Sequence, residues 1–497
     1  MHYLIKLHPE ITIKSKSVRD HMIKCLRHNV RMVIQLDDPQ ARVQGGFDSL
    51  EVHLSETLAA IGRDRVEAAL GRIPGLHEIL AVEELRGESP EQIARQVLPY
   101  WVDQVAGKRF CVRVKRRGDH AFTSSELERY LGGQVLAAVP DATVDLTRPE
   151  VTLTLELKNT RLLLITRRWP GVGGYPLGTQ ENALALISGG FDSPVAAWRM
   201  MTRGARTHFL FFNLGGPAHE AGVREVVLHL WRQYGRSHKV FFTSVPFEPV
   251  VAEILRVIPD GLMGVVLKRM MLRVASQFAE HWQIPALVTG DAVAQVSSQS
   301  LTNLKVIDQV TDQLVLRPVI TENKQTIIDE ARRIGTAPYA ESMPEYCGVI
   351  SRRPNIRVRR ADIEAAEVPF DFSVLENARE QAVSTRIDRL EKAPPLVSGE
   401  LLTLDMEQAQ ARPGPVRIVD IRPEHERSVA PLQSAGLPVD VIPFYELQSR
   451  AGELAADTTW LLYCERGVMS RMQALHLADQ GVASVGVLVL AKEGATP

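Results

Sequence analysis

The amino-acid sequence predicts a multidomain α/β protein: two small α+β units, then a doubly wound α/β domain, then a second, compact α/β domain. Three observations carry this expectation. The chain has 497 residues, enough for three or more domains. From Asn182 onward, short continuous apolar runs alternate with helical periodicity, the pattern of parallel strands buried on both faces. Pro/Gly-rich stretches, WPGVGGYPLG at 169–178 and APPLVSGE at 393–400, punctuate the chain where connections are needed.

Residues 1–60 read as an alternating strand YLIKLHPEITIK, a helix through Val18–Val30 and a strand RMVIQL. Residues 61–168 read as a helix around Arg63–Ala69, the strand HEILAVEEL, a helix after Ser89, and strands KRFCVRVKR, VTLTLELKN and LLLITRR. A connection at 169–181 leads to residues 182–391. There the strands ALALIS, THFLFFNLG, KVFFTSVPF, IPALVTGD and LVLRPVI alternate with helical runs, among them SPVAAWRMMTRG, GVREVVLHLWRQYG, a helix through Lys268–Trp282, and NKQTIIDEARRIG. After a linker at 392–403, residues 404–497 repeat the scheme on a smaller scale: VRIVDIR, VDVIPF, TWLLYC, the helix SRMQALHLADQG, and VGVLVL.

Composition excludes several classes. No apolar run approaches a membrane span, and MHYLIKLHPE lacks the layout of a secretory signal, so the cytoplasm is expected. The four cysteines contain no CxxC pair and no histidine cluster has metal-ligand spacing. A disulfide scaffold and a tightly bound metal are therefore not expected. Cys25, Cys111 and the tryptophans Trp101, Trp169, Trp198, Trp231 and Trp282 fall in apolar patterns and read as packing.

Net charge is −1, yet basic residues bunch. Lys6, Lys14, Lys16, Arg19, Lys24, Arg27 and Arg31 face only Glu10 and Asp20 within residues 1–33. A second cluster is Lys108, Arg109, Arg113, Lys115, Arg116 and Arg117. Local basic patches on a neutral protein suit a docking polyanion; solvated surface is the competing reading.

The sharpest motif is Ser188-Gly189-Gly190-Phe191-Asp192-Ser193, leaving a buried strand and opening a helix at Pro194. Glycines without Cβ let backbone N–H groups approach phosphate oxygens, and the helix N-terminus adds its dipole. Ser188 and Ser193 offer hydroxyls; Asp192 is placed to hold a magnesium ion or to orient the reacting group. The loop lacks the GxxxxGK[ST] pattern, so γ-phosphate cleavage is not expected.

Two cysteines remain. Cys464, in YCERGVMSR between an apolar strand and a helix, has the setting that favours a thiolate or persulfide anion, with Arg466 adding positive charge. Cys347, in MPEYCGVIS, reads by itself as an incidental loop cysteine; beside Cys464 and a phosphate-cradling loop it becomes a candidate partner.

SGGFDS resembles the signature of the PP-loop ATP pyrophosphatases, and YCERGVMSR with Asp420-Ile421-Arg422 resembles the active-site loop and Asp-x-Arg segment of rhodanese domains. SGGFDS, TGDAVAQVSSQSLTN, MPEYCGVIS and YCERGVMSR, in this order, resemble the tRNA 4-thiouridine synthetase (tRNA sulfurtransferase) family in its long form, with a carboxy-terminal rhodanese domain. The resemblance spans essentially the whole chain, HPEITIKSKSVR included. Asp291 stands where the family leads one to expect Glu, one methylene shorter.

The resemblance implies a ferredoxin-like domain at 1–60, a THUMP RNA-binding domain at 61–168, a PP-loop adenylation domain at 182–391 and a rhodanese-like domain at 404–497. It implies ATP with Mg²⁺, contacted by Leu186, Ile187, Ser188, Gly189, Gly190, Asp192, Ser193, Lys268, Gly290 and Gln299, with Lys324 near the phosphates. Uracil O4 at tRNA position 8, the junction of acceptor and D arms, would be adenylated. Sulfur would arrive from a cysteine desulfurase as a persulfide on Cys464, and a Cys347–Cys464 disulfide would form and need a reductant. Lys14, Lys16, Arg19, Lys108, Arg113, Lys115, Arg116 and Arg117 would meet the tRNA through phosphate and shape. The family also implies sulfur delivery to a thiamine sulfur-carrier protein. A homodimer is compatible with the sequence. Competing readings are another tRNA-modifying or amide-forming enzyme on the same ATP chemistry, and an RNA-binding sulfur carrier without it.

Overall fold

The structure, a computed structural model, describes the backbone of residues 2–46, 49–214, 216–343, 354–394, 401–422, 424–444, 446–447, 450–465, 468–479, 481–482 and 484–490. The chain divides into two units, one built on Met1–Thr179 and one on most of the chain from Gln180 onward.

The first unit is organised by one eight-stranded sheet. Its strands are β1 (His2–Leu7), β2 (Arg42–Gly46), β3 (Ser49–His53), β4 (Leu76–Arg86), β5 (Arg109–Arg117), β6 (Thr143–Val144), β7 (Val151–Lys158) and β8 (Arg161–Pro170), in the order β2-β3-β1-β4-β8-β7-β5-β6. Two apolar cores lie along it. Leu26, Val30 and Ile34 join Tyr3, Ile5, Val66, Leu70 and Ile79 in the first, which draws on residues from both sides of residue 60. Trp101, Phe110, Leu127, Leu131, Leu155 and Leu164 fill the second.

Two local expectations fail here. The strand expected to run to Lys14 stops at Leu7, because Pro9 occupies a first helical turn at Pro9–Thr12. The expected strand RMVIQL is instead the end of the helix Lys16–Ile34. Leu26, Val30 and Ile34 keep the i, i+4 stripe going, and packing of that stripe outweighs the β-branched run. The sequence reading missed the β2/β3 hairpin: β3 carries a short alternation, with Leu50 and Val52 buried, beside a glycine-bearing and mostly exposed β2. Trp101 and Cys111 are 1% exposed, as core residues should be, and Trp169 packs edge-on to Tyr3 beneath the Arg167 guanidinium.

In the second unit, six strands form a sheet in the order β13-β12-β9-β10-β11-β14. They are β9 (Gln180–Leu186), β10 (Ala205–Asn213), β11 (Phe241–Pro246), β12 (Ala286–Val288), β13 (Leu314–Leu316) and β14 (Val383–Arg386). All pairings are parallel except β11 with β14. The chain steps outward from β9 through β10 and β11, then returns to the other side of β9 with β12. That reversal makes a crevice at the carboxyl ends of β9 and β12, where doubly wound sheets place ligands.

A second sheet of this unit has five strands, all parallel, ordered β15-β19-β18-β16-β17. They are β15 (Leu402–Leu404), β16 (Val416–Asp420), β17 (Val439–Val441), β18 (Thr459–Tyr463) and β19 (Val485–Leu488). β18 lies at its centre, and Cys464 is the next residue. No helix among the described residues is long and apolar enough to cross a membrane.

Two histidines of the second unit make stability pH-dependent. His208, on β10, accepts the Phe241 backbone N–H at Nδ1 (3.2 Å), and His219 packs edge-on to Phe211. Burial pushes both down to about 4. The unfolded chain takes up protons on them below about 6.5, the folded chain only near 4, so stability falls as pH drops through that window. Each contributes a slope of about 1.4 kcal/mol per pH unit. The urea midpoint is expected to be lower at pH 5 than at pH 7, with a smaller difference in His208→Asn.

Candidate active site

The carboxyl end of β9 runs through Leu186 and buried Ile187 into the loop Ser188–Asp192, and the helix Asp192–Thr202 begins at once. Ser193 Oγ accepts the Ser188 backbone N–H (2.8 Å) and lies 2.8 Å from Ser188 Oγ, closing the turn on itself. Gly190 is exposed at the tip. Gly290 is required by close approach: a Cβ there would lie 2.6 Å from the Ser193 backbone nitrogen and 2.7 Å from the Asp192 carbonyl carbon. The loop after β12 thus sits directly on the start of the phosphate-loop helix, as the β9–β12 pairing dictates.

Asp291 organises the crevice. Its carboxylate accepts from Lys268 Nζ (2.6 Å), Thr289 Oγ1 (2.7 Å), Gln299 Nε2 (3.3 Å) and Arg317 Nε (3.2 Å). Burial disfavours its charge, but Lys268, Thr289 and Arg317 outweigh burial and hold the carboxyl well below the usual range. The shorter acid therefore reaches its partners, and Lys268 and Gln299 are fixed on one carboxylate as the sequence could not show. The Oε1 atoms of Gln295 and Gln299 are buried without a hydrogen-bond partner among the described residues.

Asp192 accepts from Lys324 Nζ at 3.0 Å on each oxygen and from Gln295 Nε2 at 2.9 Å. Lys324 starts the helix Lys324–Ile334, capped by Asn323, and lies 5.3 Å from the Phe191 ring centre. Arg199 positions this helix: it donates to Glu330, Glu322 and the Pro318 carbonyl, tying the phosphate-loop helix to the segment 318–330. Sequence reasoning missed Gln295, Arg317 and Arg199. Gln295 stands inside the TGDAVAQVSSQ segment, but no local pattern marks the others.

Cys464 leaves β18 half-buried, before the helix Val468–Asp479. Its Sγ accepts the Ser470 backbone N–H at 3.3 Å and lies 3.4 Å from Ser470 Oγ. A helix-start N–H aimed at sulfur favours its anionic form. Arg422, 2% exposed, makes a two-bond pair with Asp420 (2.9 and 2.7 Å), donates to the Ala430 carbonyl and stacks on the Tyr463 ring at 4.8 Å. The Asp420-x-Arg422 segment is a buried brace beneath the Cys464 strand. Burial, and then Glu465, push the Glu426 carboxyl up. Arg466 and Cys347 lie outside the described residues.

The short helix Ala337–Ser342 and the residue after it link the two regions. Tyr339 packs on the same apolar cluster as Cys464, with its ring 5.7 Å from Phe444. Burial raises its hydroxyl pKa, and Cys464 is among the charges that add to this. Four residues on, about 6 Å along a helix, Met343 lies on the phosphate loop: a Cβ at Gly189 would come 2.7 Å from its Sδ.

The basic residues divide. Arg113, Lys115 and Arg117 share the exposed face of β5 at two-residue intervals, while Arg116 is half-buried and meets His120 at 3.1 Å. Lys108 and Lys16 are exposed. Lys14 lies over the Tyr175 ring and Arg19 reaches the Thr12 carbonyl.

The chain is similar to known proteins over nearly its whole length. The family model described as Thiamine biosynthesis protein (ThiI) matches residues 178–372, and the THUMP domain model matches residues 88–167. A tRNA sulfurtransferase of Klebsiella pneumoniae subsp. pneumoniae is 50% identical over 98% of this chain and 99% of its own. One of Erwinia tasmaniensis is 49% identical over the same shares. A crystal structure of a 4-thiouridine synthetase–RNA complex with bound ATP has a TM-score of 0.68 at 25% identity, covering 78% of this chain and 99% of that one. A protein of Pyrococcus horikoshii shares the fold at a TM-score of 0.52 and 18% identity, over 67% of this chain and 100% of its own.

Proposed function

The chain belongs to the tRNA sulfurtransferase family, and from that premise we propose that it moves sulfur from a persulfide on Cys464 to C4 of the tRNA uridine at position 8, giving 4-thiouridine. Uracil O4 is a poor leaving group. Its attack on the α-phosphate of ATP expels pyrophosphate and leaves C4 bearing AMP. The Ser188–Ser193 turn and the helix start behind it suit the phosphates, with glycine at the exposed tip and no Cβ to bar approach. Asp192 is placed to hold Mg²⁺, which would neutralise phosphate charge. Lys324 moves from the Asp192 carboxylate to the phosphates, and Lys268, braced by Asp291, adds positive charge from the opposite wall.

The terminal persulfide sulfur then attacks C4 and AMP leaves, giving a tRNA–S–S–Cys464 link. The Cys347 thiolate attacks the Cys464 sulfur, freeing thiouridine and leaving a Cys347–Cys464 disulfide that takes two electrons from a dithiol reductant. Release of hydrosulfide by Cys347 before attack on C4 ends in the same disulfide. A cysteine desulfurase supplies the persulfide. A second acceptor, the adenylated carboxy-terminus of a small thiamine sulfur-carrier protein, is in keeping with the family match over 178–372.

The observation that carries this reading is the helix Ala337–Ser342. It lays Tyr339 beside the Cys464 cluster and Met343 on Gly189, and it leads directly into the segment that contains Cys347. The test is reconstitution of protein, unmodified tRNA, ATP, cysteine and desulfurase, with absorbance followed at the thiouridine band. Thiouridine that needs both ATP and Cys464 supports the proposal; none formed, with active desulfurase present, ends it. In the same system, tRNA affinity is expected to fall steeply with salt, and less steeply when Arg113, Lys115 and Arg117 are all changed to Gln. A salt slope unaltered by the triple change removes that strand face from the tRNA interface.

A further inference from the structure

Asp291 divides its two oxygens between two sets of partners. Oδ1 accepts from Lys268 Nζ (2.6 Å) and Gln299 Nε2 (3.3 Å), the two groups read above as ATP contacts. Oδ2 accepts from Thr289 Oγ1 (2.7 Å) and Arg317 Nε (3.2 Å), neither of which has a role in the reading above. We infer that Arg317 is a positioning residue for the nucleotide. By pinning Oδ2 it fixes the rotation of the Asp291 carboxylate, and through Oδ1 it fixes the places of Lys268 and Gln299. The inference rests on the nucleotide reading of this crevice given under the proposed function.

The fold delivers Arg317 to this position. β12 and β13 pair in parallel with Val288 opposite Leu316, and the Thr289 backbone N–H donates to the Leu316 carbonyl at 3.0 Å. Thr289 and Arg317 therefore leave adjacent strands side by side, at the same carboxyl edge of the sheet, and reach one oxygen. The outer edge of the guanidinium is held separately: Nη1 and Nη2 donate to the two oxygens of Asp308 at 2.9 and 2.5 Å. Asp308 ends the helix Leu301–Asp308, whose cap residue Ser300 directly follows Gln299. Arg317 thus bridges two acids, with 11% of its side chain exposed. Burial opposes its charge, and Asp308 and Asp291 outweigh burial. A planar fork held at both ends has little freedom, so its grip on Oδ2 is directional in a way that the Thr289 hydroxyl alone is not. Such precision matters, because displacing a group by about 1 Å around a reacting centre costs on the order of a hundredfold in rate.

Equilibrium dialysis of labelled ATP against the full chain tests this with a double-mutant cycle. Arg317→Gln is expected to weaken ATP about tenfold in the native background and less than about threefold in Lys268→Gln, because a brace has little left to position once Lys268 is gone. Loss of one positive charge without loss of positioning weakens ATP equally in both backgrounds, and equal losses overturn the inference. Arg317→Lys keeps the charge and loses the fork, so it is expected to stay at least about fivefold weaker than the native chain. Native affinity in that variant also overturns the inference. Persulfide loading on Cys464 and the urea midpoint report folding. If Arg317→Gln is unfolded, Asp308→Asn, at a half-exposed side chain, carries the same cycle. It frees the outer edge of the fork, its effect on ATP is again expected to shrink in Lys268→Gln, and an effect of the same size in both backgrounds overturns the inference. A native chain that binds ATP but makes no thiouridine defeats the sulfur-transfer reading alone, and the cycle still decides the role of Arg317.

Discussion

Cys464→Ser is expected to leave tRNA binding and ATP-dependent pyrophosphate release intact while lowering thiouridine formation on the order of a thousandfold or more. The geometry gives the reason for the separation. Cys464 sits at the end of the central strand β18 of the five-stranded sheet, with Ser470 N–H 3.3 Å from its sulfur, whereas Asp192 and Asp291 follow strands of the six-stranded sheet. A serine hydroxyl fits the same place but forms no persulfide, so the lesion is chemical and folding is spared. Labelled sulfur from cysteine and desulfurase should load the native chain and not the variant. Thiouridine produced at the native rate by Cys464→Ser would remove this residue from the pathway altogether.

Asp192→Ala should show the opposite dissociation. Asp192 anchors Lys324 on two oxygens and Gln295 on one, so its loss releases both walls of the phosphate loop at once. Pyrophosphate release is expected to drop about 10²–10³-fold, the usual cost of removing a group that orients charge at a developing transition state. Persulfide loading on Cys464 should be untouched, because Asp420 and Arg422 brace that loop from within its own sheet. Asp192→Asn separates two contributions: it keeps an acceptor for Gln295 but removes the charge that holds Lys324. A variant that adenylates normally but fails to load sulfur would reverse the assignment of the two loops.

The placement of these two loops is legible in the sequence, as the ends of apolar strands that open helices. Much of the surrounding machinery is not. Gln295, Arg199 and Arg317 act on residues 26 to 131 positions away in the chain, and none belongs to a periodic pattern. The end of the helix Lys16–Ile34 misleads for a related reason. RMVIQL has strand-like residues, and only the continued burial of Val30 and Ile34 against Tyr3 and Ile5 decides for helix. The pairing of His2 with His53 escapes a reading of the sequence because the two are some fifty residues apart, and only strand register closes that gap.

By itself the sequence determined the chemistry that neighbours in the chain can build. It set a glycine turn that opens onto a helix start, a cysteine at a strand end, and basic residues alternating along one strand. These depend on backbone conformation over a few residues, which local composition dictates. The tertiary structure alone decided which loops meet. Met343 reached Gly189, Asp291 gathered Lys268 and Arg317, and His53 came opposite His2. Such meetings arise from strand order and register, which the burial of whole faces selects and no short stretch of residues encodes.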